Sequence, residues 1–203
     1  PRTKVVAFCD INPVRPAWYS SHRIMLEHEK LDIVSVCTPV DSHATIVCDC
    51  AEAGVKAIYC EKPMASTIEG CDRMIEVCEE HHTILQINHQ RRFTIPKFRF
   101  SRDMIDTGTH VFDLLRHLFG NIIMFNKEQV LFASGLACDI EYVPTDEHIF
   151  ELDCTQNALP MIPLGVAHLI DCLDNNKESI SSGYDGREAL RLAIEYKKFY
   201  EKT

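Results

Sequence analysis

Three residues, Glu61, Lys62 and Pro63, whose types could support chemistry directly follow the apolar run 55–60. A proline disfavours helical geometry in the residue before it, so this turn can hold the Lys62 side chain in one direction, into a cleft above the preceding strand. An amine held in this way is a candidate for proton transfer to a bound hydroxyl group. Taken alone, a charged and solvated turn is the simpler interpretation of the tripeptide.

Asp106 and His110 form a second candidate pair, within the stretch DTGTHVFDLLRHLFG. Residues four apart share one face of a helix, so these two side chains could share a proton and a substrate hydroxyl. A lone histidine on a helix is more often structural, and we interpret His117 in that way.

The elements that must position these residues are visible as alternating patterns in the first half of the chain. Short apolar runs at 5–9, 33–37, 55–60 and 83–87 predict buried strands, and helical patterns lie between the later ones. This alternation predicts an α/β fold with a doubly wound parallel sheet. Ligands of such sheets bind at the carboxyl ends of the strands, where Asp10, Thr38 and Glu61 fall.

The pattern changes after residue 93. Residues 121–156 carry short extended runs, and two helical patterns cover 161–174 and 185–200. We therefore predict two domains, residues 1–92 and 93–203.

Composition excludes several classes of function. The net charge is −9 and basic residues form no run longer than a pair, which argues against binding of nucleic acid phosphates. No apolar stretch reaches the roughly 18 to 20 residues that span a bilayer, so we expect a cytoplasmic protein without membrane contact. The 10 cysteines lack the paired spacing of a zinc site, so we interpret them as buried thiols and expect no metal.

The motifs recur in a fixed order. They are a strand followed by Asp, a strand followed by Thr-Pro with a His four residues after the Pro, a strand followed by Glu-Lys-Pro, and a later Asp-x-Gly-x-His. The same ordered set occurs in the glucose–fructose oxidoreductase and inositol dehydrogenase family, which this chain resembles. The resemblance covers most of residues 4–120 and returns at 163–195. It implies an N-terminal Rossmann domain that binds NAD, with NADP less favoured, and a C-terminal α/β domain with an open, mostly antiparallel sheet.

The same resemblance implies an activity and an assembly. Family members oxidise or reduce a hydroxyl group of a sugar, cyclitol or nucleotide sugar. We therefore expect a small polyol or sugar as the substrate, and a homodimer or homotetramer formed through the C-terminal sheet.

Individual roles follow from matching positions. Asp10 matches the acid that accepts hydrogen bonds from the adenosine ribose, a role that needs a carboxylate at a strand end, although it could instead cap a helix. The other residues matched to cofactor binding are Thr38, Pro39, His43, Glu61 and Lys62. His43 could equally be an ordinary residue at a helix start.

The catalytic and substrate roles are carried over in the same way. Lys62 is matched to a position near both the nicotinamide ribose and the substrate hydroxyl, and it joins Asp106 and His110 as a catalytic residue. Residues at positions where family members line the substrate cleft are Asn88, Gln90 and Arg92. The stretch NHQRRF that contains them could alternatively be an interdomain hinge.

The sequence departs from the family in its phosphate-binding part. The family has another strand and a glycine-rich turn before the strand at Val5, whereas Gly-x-Gly-x-x-Gly occurs nowhere in these residues. Connections at 11–30 and 94–105 are also short, and too few strands follow Gly120 for a complete second sheet. We therefore expect that segments, including the first strand and the glycine-rich turn, are missing from these 203 residues.

The leading hypothesis is an NAD-dependent oxidoreductase of a sugar-like alcohol, in which Lys62 and His110 handle the hydroxyl proton. One alternative is a regulatory nucleotide-binding protein without turnover, against which the joint presence of Lys62, Asp106 and His110 argues. Another is an enzyme that holds NAD tightly and uses it for internal redox chemistry.

Overall fold

A parallel sheet of three strands organises the first half of the chain, in a computed structural model that describes residues 2–11, 19–93, 98–100, 105–125, 129–132, 137–139, 148–150 and 161–201. Its strands are β1 (Ile33–Val36), β2 (Ala57–Cys60) and β3 (Ile84–Ile87), in the order β1-β2-β3. Three of the four predicted strands are therefore confirmed. Their apolar runs are nearly continuous because helices cover both faces of the sheet.

Three helices accompany this sheet: α1 (His22–His28), α2 (Val40–Glu52) and α3 (Ile68–Glu80). The helices α2 and α3 pack against each other and against one face of the sheet. The side chain of Thr67 caps α3 by accepting a hydrogen bond from the Gly70 amide at 3.1 Å. Because β1, β2 and β3 are parallel, α2 and α3 each return the chain from the carboxyl edge of the sheet to its amino edge.

Cysteines contribute to the core between α2, α3 and the sheet. Cys50, Cys60, Cys71 and Cys78 are buried there among aliphatic side chains. Burial raises the pKa of the Cys71 and Cys78 thiols to about 12, so both stay protonated at neutral pH. The interpretation of these cysteines as small buried apolar residues is confirmed.

The strand predicted at 5–9 is wrong. Residues 2–8 follow an irregular path, and Cys9 forms only an isolated parallel bridge with Tyr19. The side chains of Val5 and Ile11 are 69% and 92% exposed. A strand exists only when its backbone pairs with a neighbour, and this segment is instead tied to the end of a later helix by ion pairs of Arg2 with Asp171 and Asp174.

The second half of the described chain contains short strands and three long helices. The strands are β4 (Phe98–Phe100), β5 (Ile122–Phe125), β6 (Gln129–Phe132), β7 (Ala137–Asp139) and β8 (His148–Phe150). They pair antiparallel, as β4-β8 and as β5-β6-β7. The helices are α4 (Asp106–Phe119), α5 (Met161–Asn175) and α6 (Gly183–Glu201).

The last two helices, both predicted from the sequence, pack on the parallel sheet. Leu169 of α5 packs with Ala57 and Tyr59 on the face that α2 and α3 leave open, which makes the sheet doubly wound. Leu190 of α6 joins the core on the other face. Residues 179–182 run beside β3, where the Ile87 amide donates to the Ser181 carbonyl at 2.9 Å. The proposed division at 92/93 stays a prediction, since residues on both sides of it build this layered structure.

None of the helices among the described residues combines the length and apolarity needed to cross a membrane.

Candidate active site at the carboxyl edge of the parallel sheet

Strand register brings three chain segments to one level at the carboxyl edge of the sheet. Val36 pairs with Cys60, and Cys60 pairs with Ile87. The backbone amide of Glu61 then donates to the Val36 carbonyl at 2.9 Å, and the amide of Asn88 donates to the Cys60 carbonyl at 2.8 Å. Glu61 and Asn88, which the sequence placed in the site, are therefore neighbours.

The loop after β1 forms the first side of this edge. Thr38 and Pro39 are exposed, and Pro39 stands at the N-cap of α2. The Ser42 hydroxyl holds the loop by donating to the Pro39 carbonyl at 2.7 Å, with the Thr38 hydroxyl oxygen 2.8 Å from the same Oγ. This leaves an exposed surface directly beside the β1 terminus.

His43 connects that loop to the next one. Its ring is 1% exposed, with Nε2 lying 2.7 Å from the Thr38 carbonyl oxygen and Nδ1 lying 3.1 Å from the Pro63 carbonyl oxygen. Both partners are acceptors, so the ring donates to one of them when neutral and to both when protonated. The structure thus places His43 behind the predicted cofactor loops, as a link between them.

Glu61 and Lys62 are both half-buried on the loop after β2, and the Lys62–Pro63 peptide bond is cis. The Glu61 carboxylate accepts from the Asn88 side-chain amide at 2.6 Å and from the Lys62 backbone amide at 3.3 Å. Asn88 in turn accepts from the Tyr59 hydroxyl at 2.6 Å. The acid of the predicted pair is therefore held on its inner side by protein groups.

The helix α4 supplies the other side of the site. It begins at Asp106 and carries His110 one turn later, as the spacing predicted. The buried His110 ring lies edge-on to the His89 ring, with a centroid distance of 6.2 Å. Since His89 follows Asn88 in the chain, the structure brings His110 to the same turn after β3 that holds Glu61.

A buried ion cluster fixes α4 against this turn. The Arg92 and Asp113 side chains are 3% and 1% exposed and form a two-pronged pair, with Nε to Oδ2 at 2.7 Å and Nη2 to Oδ1 at 2.5 Å. His89 Nδ1 lies 3.0 Å from the same carboxylate, and Asp185 lies 3.1 Å from Arg92. Although burial alone would raise it, the contacts with the His89 ring and the Arg92 guanidinium hold the pKa of Asp113 at about 2.

The sequence interpretation missed several of these partners. Tyr59 ends an apolar run and gave no signal of a polar role. Asp113 does follow His110 at helical spacing, but only the fold shows that it meets His89 and Arg92. The helical spacing between His110 and Asp113 was the signal that the sequence offered for a role of this acid.

The remaining predicted residues lie as follows. Gln90 is half-buried at the start of the 3-10 turn Gln90–Phe93. Asp10 is exposed, and its backbone amide donates to the Tyr19 carbonyl at 3.0 Å. Within the described ranges, no group of three or more His, Cys, Asp or Glu side chains is arranged to hold a metal ion.

Comparison with known proteins adds a family match. Residues 2–89 match the sequence model of an oxidoreductase family with an NAD-binding Rossmann fold. A D-xylose 1-dehydrogenase [NADP(+)] from Haloarcula marismortui is 47% identical over 77 residues, which are 38% of this chain and 21% of that protein. A 2,7-anhydro-N-acetylneuraminate hydratase from Mediterraneibacter gnavus is 28% identical over 155 residues, which are 76% of this chain and 38% of that protein. The chain thus spans well under half the length of these curated relatives.

Solved structures share the fold at low identity. A scyllo-inositol dehydrogenase from Lactobacillus casei, with bound NAD(H) and scyllo-inositol, aligns with a TM-score of 0.73 and 14% identity over 98% of this chain and 89% of that chain.

Proposed function

We propose that this chain is part of an NAD-dependent oxidoreductase acting on a hydroxyl group of a sugar, cyclitol or nucleotide sugar, since residues 2–89 match the sequence model of an oxidoreductase family with an NAD-binding Rossmann fold. The observation that carries the proposal is the arrangement of Glu61 and Lys62 at the carboxyl edge of a parallel sheet, where dinucleotides bind in such folds. A sugar dehydrogenase among the relatives supports the substrate class.

The residues at this edge fit the ribose–nicotinamide end of the cofactor. The Glu61 carboxylate is an acceptor for ribose hydroxyl groups, and the Lys62 ammonium is a donor beside it. Thr38 and Pro39 offer an exposed surface next to them, supported from behind by His43. When bound, the nicotinamide supplies the hydride chemistry.

Proton handling falls to the protein. We assign transfer of the substrate hydroxyl proton to Lys62 and His110, with Asp106 as the acid one turn before His110 on α4. Among the residues predicted to line the substrate cleft, we assign direct contact to Gln90, which is half-buried at the turn. The side chains of Asn88 and Arg92 are engaged within the protein.

Cofactor preference follows from Asp10. A carboxylate accepts from the 2′-hydroxyl of NAD and repels the 2′-phosphate of NADP, so we assign NAD as the preferred cofactor. One relative is named as an NADP(+) enzyme, so the preference between NAD and NADP needs a direct test. Titration of the chain with NADH and NADPH, followed by cofactor fluorescence, should give the tighter constant for NADH. Equal or tighter NADPH binding removes Asp10 from this role.

Assembly is proposed through the second half of the chain. Its antiparallel strands fit the open sheet through which we expect a homodimer or homotetramer to form. Mass measurement of the native assembly tests this.

The activity is tested by NAD reduction across sugars, inositols and nucleotide sugars, with Lys62→Ala as the inactive variant. Lys56→Ala is a matched control, because Lys56 precedes the same strand at its other end and pairs on the surface with Asp32 at 2.7 Å. Loss of turnover in Lys62→Ala but not in Lys56→Ala supports the proposal. Equal activity in the two variants contradicts it.

A second candidate function is internal redox chemistry with retained cofactor. The relative that aligns with 76% of the chain is named a hydratase. Cofactor that copurifies with the protein, together with product formation without consumption of free NAD, would favour this candidate over the dehydrogenase.

A further inference from the structure

Tyr59, Asn88 and Glu61 form a chain of hydrogen bonds whose direction is fixed by chemistry. The Tyr59 hydroxyl donates to Oδ1 of Asn88 at 2.6 Å, so the amide nitrogen faces Oε1 of Glu61, also at 2.6 Å. Turning the amide over would set its oxygen against a carboxylate oxygen, where no donor remains. The orientation of Asn88 is therefore determined by both neighbours.

Burial keeps this chain intact. Asn88 is 2% exposed and Tyr59 is 3% exposed, with Tyr59 packed against Ala57 and Leu169. Burial, followed by the Glu61 charge, raises the pKa of the Tyr59 phenol, so it remains a donor at any working pH. Water does not replace either partner of the Asn88 amide at such low exposure.

The other carboxylate oxygen of Glu61 is restrained as well. Oε2 accepts from the Lys62 backbone amide at 3.3 Å, so each of the two oxygens accepts a hydrogen bond from the protein. A glutamate on a surface turn would otherwise sample many rotamers. Restraint of both oxygens leaves their remaining lone pairs in one fixed direction, which suits an adjacent pair of hydroxyl groups.

We propose that Asn88, oriented by Tyr59, is a positioning residue that holds the Glu61 carboxylate ready to accept from the ribose hydroxyl pair at the nicotinamide end of the cofactor. The inference rests on the proposed function, and it gives Asn88 a role different from the substrate contact that the sequence suggested.

A matched control lies two residues earlier on the same strand. Gln86 is also a buried amide, but it donates to the Gly165 carbonyl at 2.8 Å and accepts from the Ser179 hydroxyl at 2.9 Å. Gln86→Leu and Asn88→Leu each remove a buried amide from β3 or its end. Both variants should lose stability, and only Asn88→Leu should lose cofactor affinity.

The experiment measures NADH binding by fluorescence for the unsubstituted chain, Asn88→Leu, Tyr59→Phe and Gln86→Leu. We expect binding about tenfold weaker in Asn88→Leu, as for loss of one charge-assisted hydrogen bond. Tyr59→Phe should show a smaller loss in the same direction, and Gln86→Leu should match the unsubstituted chain. Equal affinities in Asn88→Leu and Gln86→Leu overturn the inference and leave the proposed function standing. No NADH binding by the unsubstituted chain overturns the proposed function and the role of Asn88 with it.

A second readout does not require a folded Asn88→Leu variant. In the ¹⁵N-labelled chain, the side-chain amide signal of Asn88 should move in Tyr59→Phe and on addition of NADH, while the signal of Gln86 should stay in place on addition of NADH. An Asn88 signal that ignores bound NADH contradicts the inference.

Discussion

The buried pair of Asp113 and Arg92 gives the sharpest stability prediction. Asp113→Asn keeps the shape of the side chain but removes the charge that faces Arg92 and His89. Arg92 then remains 3% exposed with Asp185, at 3.1 Å, as its nearest acid. A buried cation left with a weaker partner is costly, because its lost hydration is no longer compensated.

The magnitude follows from the pKa of Asp113. It is about 2 in the folded chain, against an ordinary value of 3.8. That difference corresponds to about 2 kcal/mol of stability at neutral pH, at 1.36 kcal/mol per pH unit. The folded pKa is the lower one, so this contribution is present above pH 4 and is lost as the pH falls toward 2. With the uncompensated Arg92 added, we expect Asp113→Asn to cost about 3 kcal/mol at pH 7.

Urea unfolding at pH 7 and at pH 3 measures this effect. The loss of unfolding free energy in Asp113→Asn should be about 1 kcal/mol smaller at pH 3, where part of the carboxylate's contribution has already disappeared from the unsubstituted chain. Asp72→Asn is the control, since Asp72 also pairs with an arginine, Arg187, but on the surface. Its effect should be small at both pH values, because solvent screens the pair.

Two results would refute the reasoning. One is a loss in Asp113→Asn that is the same at pH 7 and pH 3. The other is a loss no larger than that of Asp72→Asn.

Three further predictions concern the site and its packing. Lys62→Ala should lower turnover by roughly 10² to 10⁴ with little change in NADH affinity, and Lys62→Arg should not restore it, because a guanidinium does not release its proton. His110→Gln should lower turnover by roughly 10² or more while the unfolding free energy changes little; a normal rate would leave His110 with a packing role only. Gly186→Ala should destabilise the fold by about 1 to 3 kcal/mol in urea unfolding, because its new Cβ would lie 2.7 Å from Cγ1 of Ile87. Unchanged stability in Gly186→Ala would show that α6 can shift away from β3.

The parallel sheet was predictable because its strands are buried on both faces. The runs at 33–37, 55–60 and 83–87 are mostly apolar, and each contains a strand. The run at 5–9 has the same composition but remained irregular. Composition reports that a segment can be a buried strand, whereas pairing depends on a neighbour that the segment itself does not contain.

The candidate site was predictable in its local parts only. The motif at Glu61 and Lys62 and the spacing of Asp106 and His110 are short-range patterns, and the sequence contained them fully. The contact of Arg92 with Asp113 joins residues 21 apart, and that of Asn88 with Glu61 joins residues 27 apart. Such pairs are set by strand register and helix packing, which the sequence does not show. Polar residues that bond within the protein, such as Asn88 and Arg92, were therefore predicted to contact substrate.

The two consecutive residues Asn88 and His89 explain how both halves of the site keep one geometry. Asn88 turns its amide toward Glu61 on the β2 loop, while His89 turns its ring toward Asp113 and His110 on α4. The backbone between them is fixed by the Asn88 amide on the Cys60 carbonyl at 2.8 Å. A displacement of α4 would therefore shift His89 and, with it, Asn88, which orients Glu61. A displacement of Glu61 would in the same way shift Asn88 and the adjoining His89, which contacts Asp113. The acid of the proposed cofactor site and the histidine of the proposed proton transfer are thus held by one turn, which would fix the bound cofactor relative to a group that handles the substrate proton.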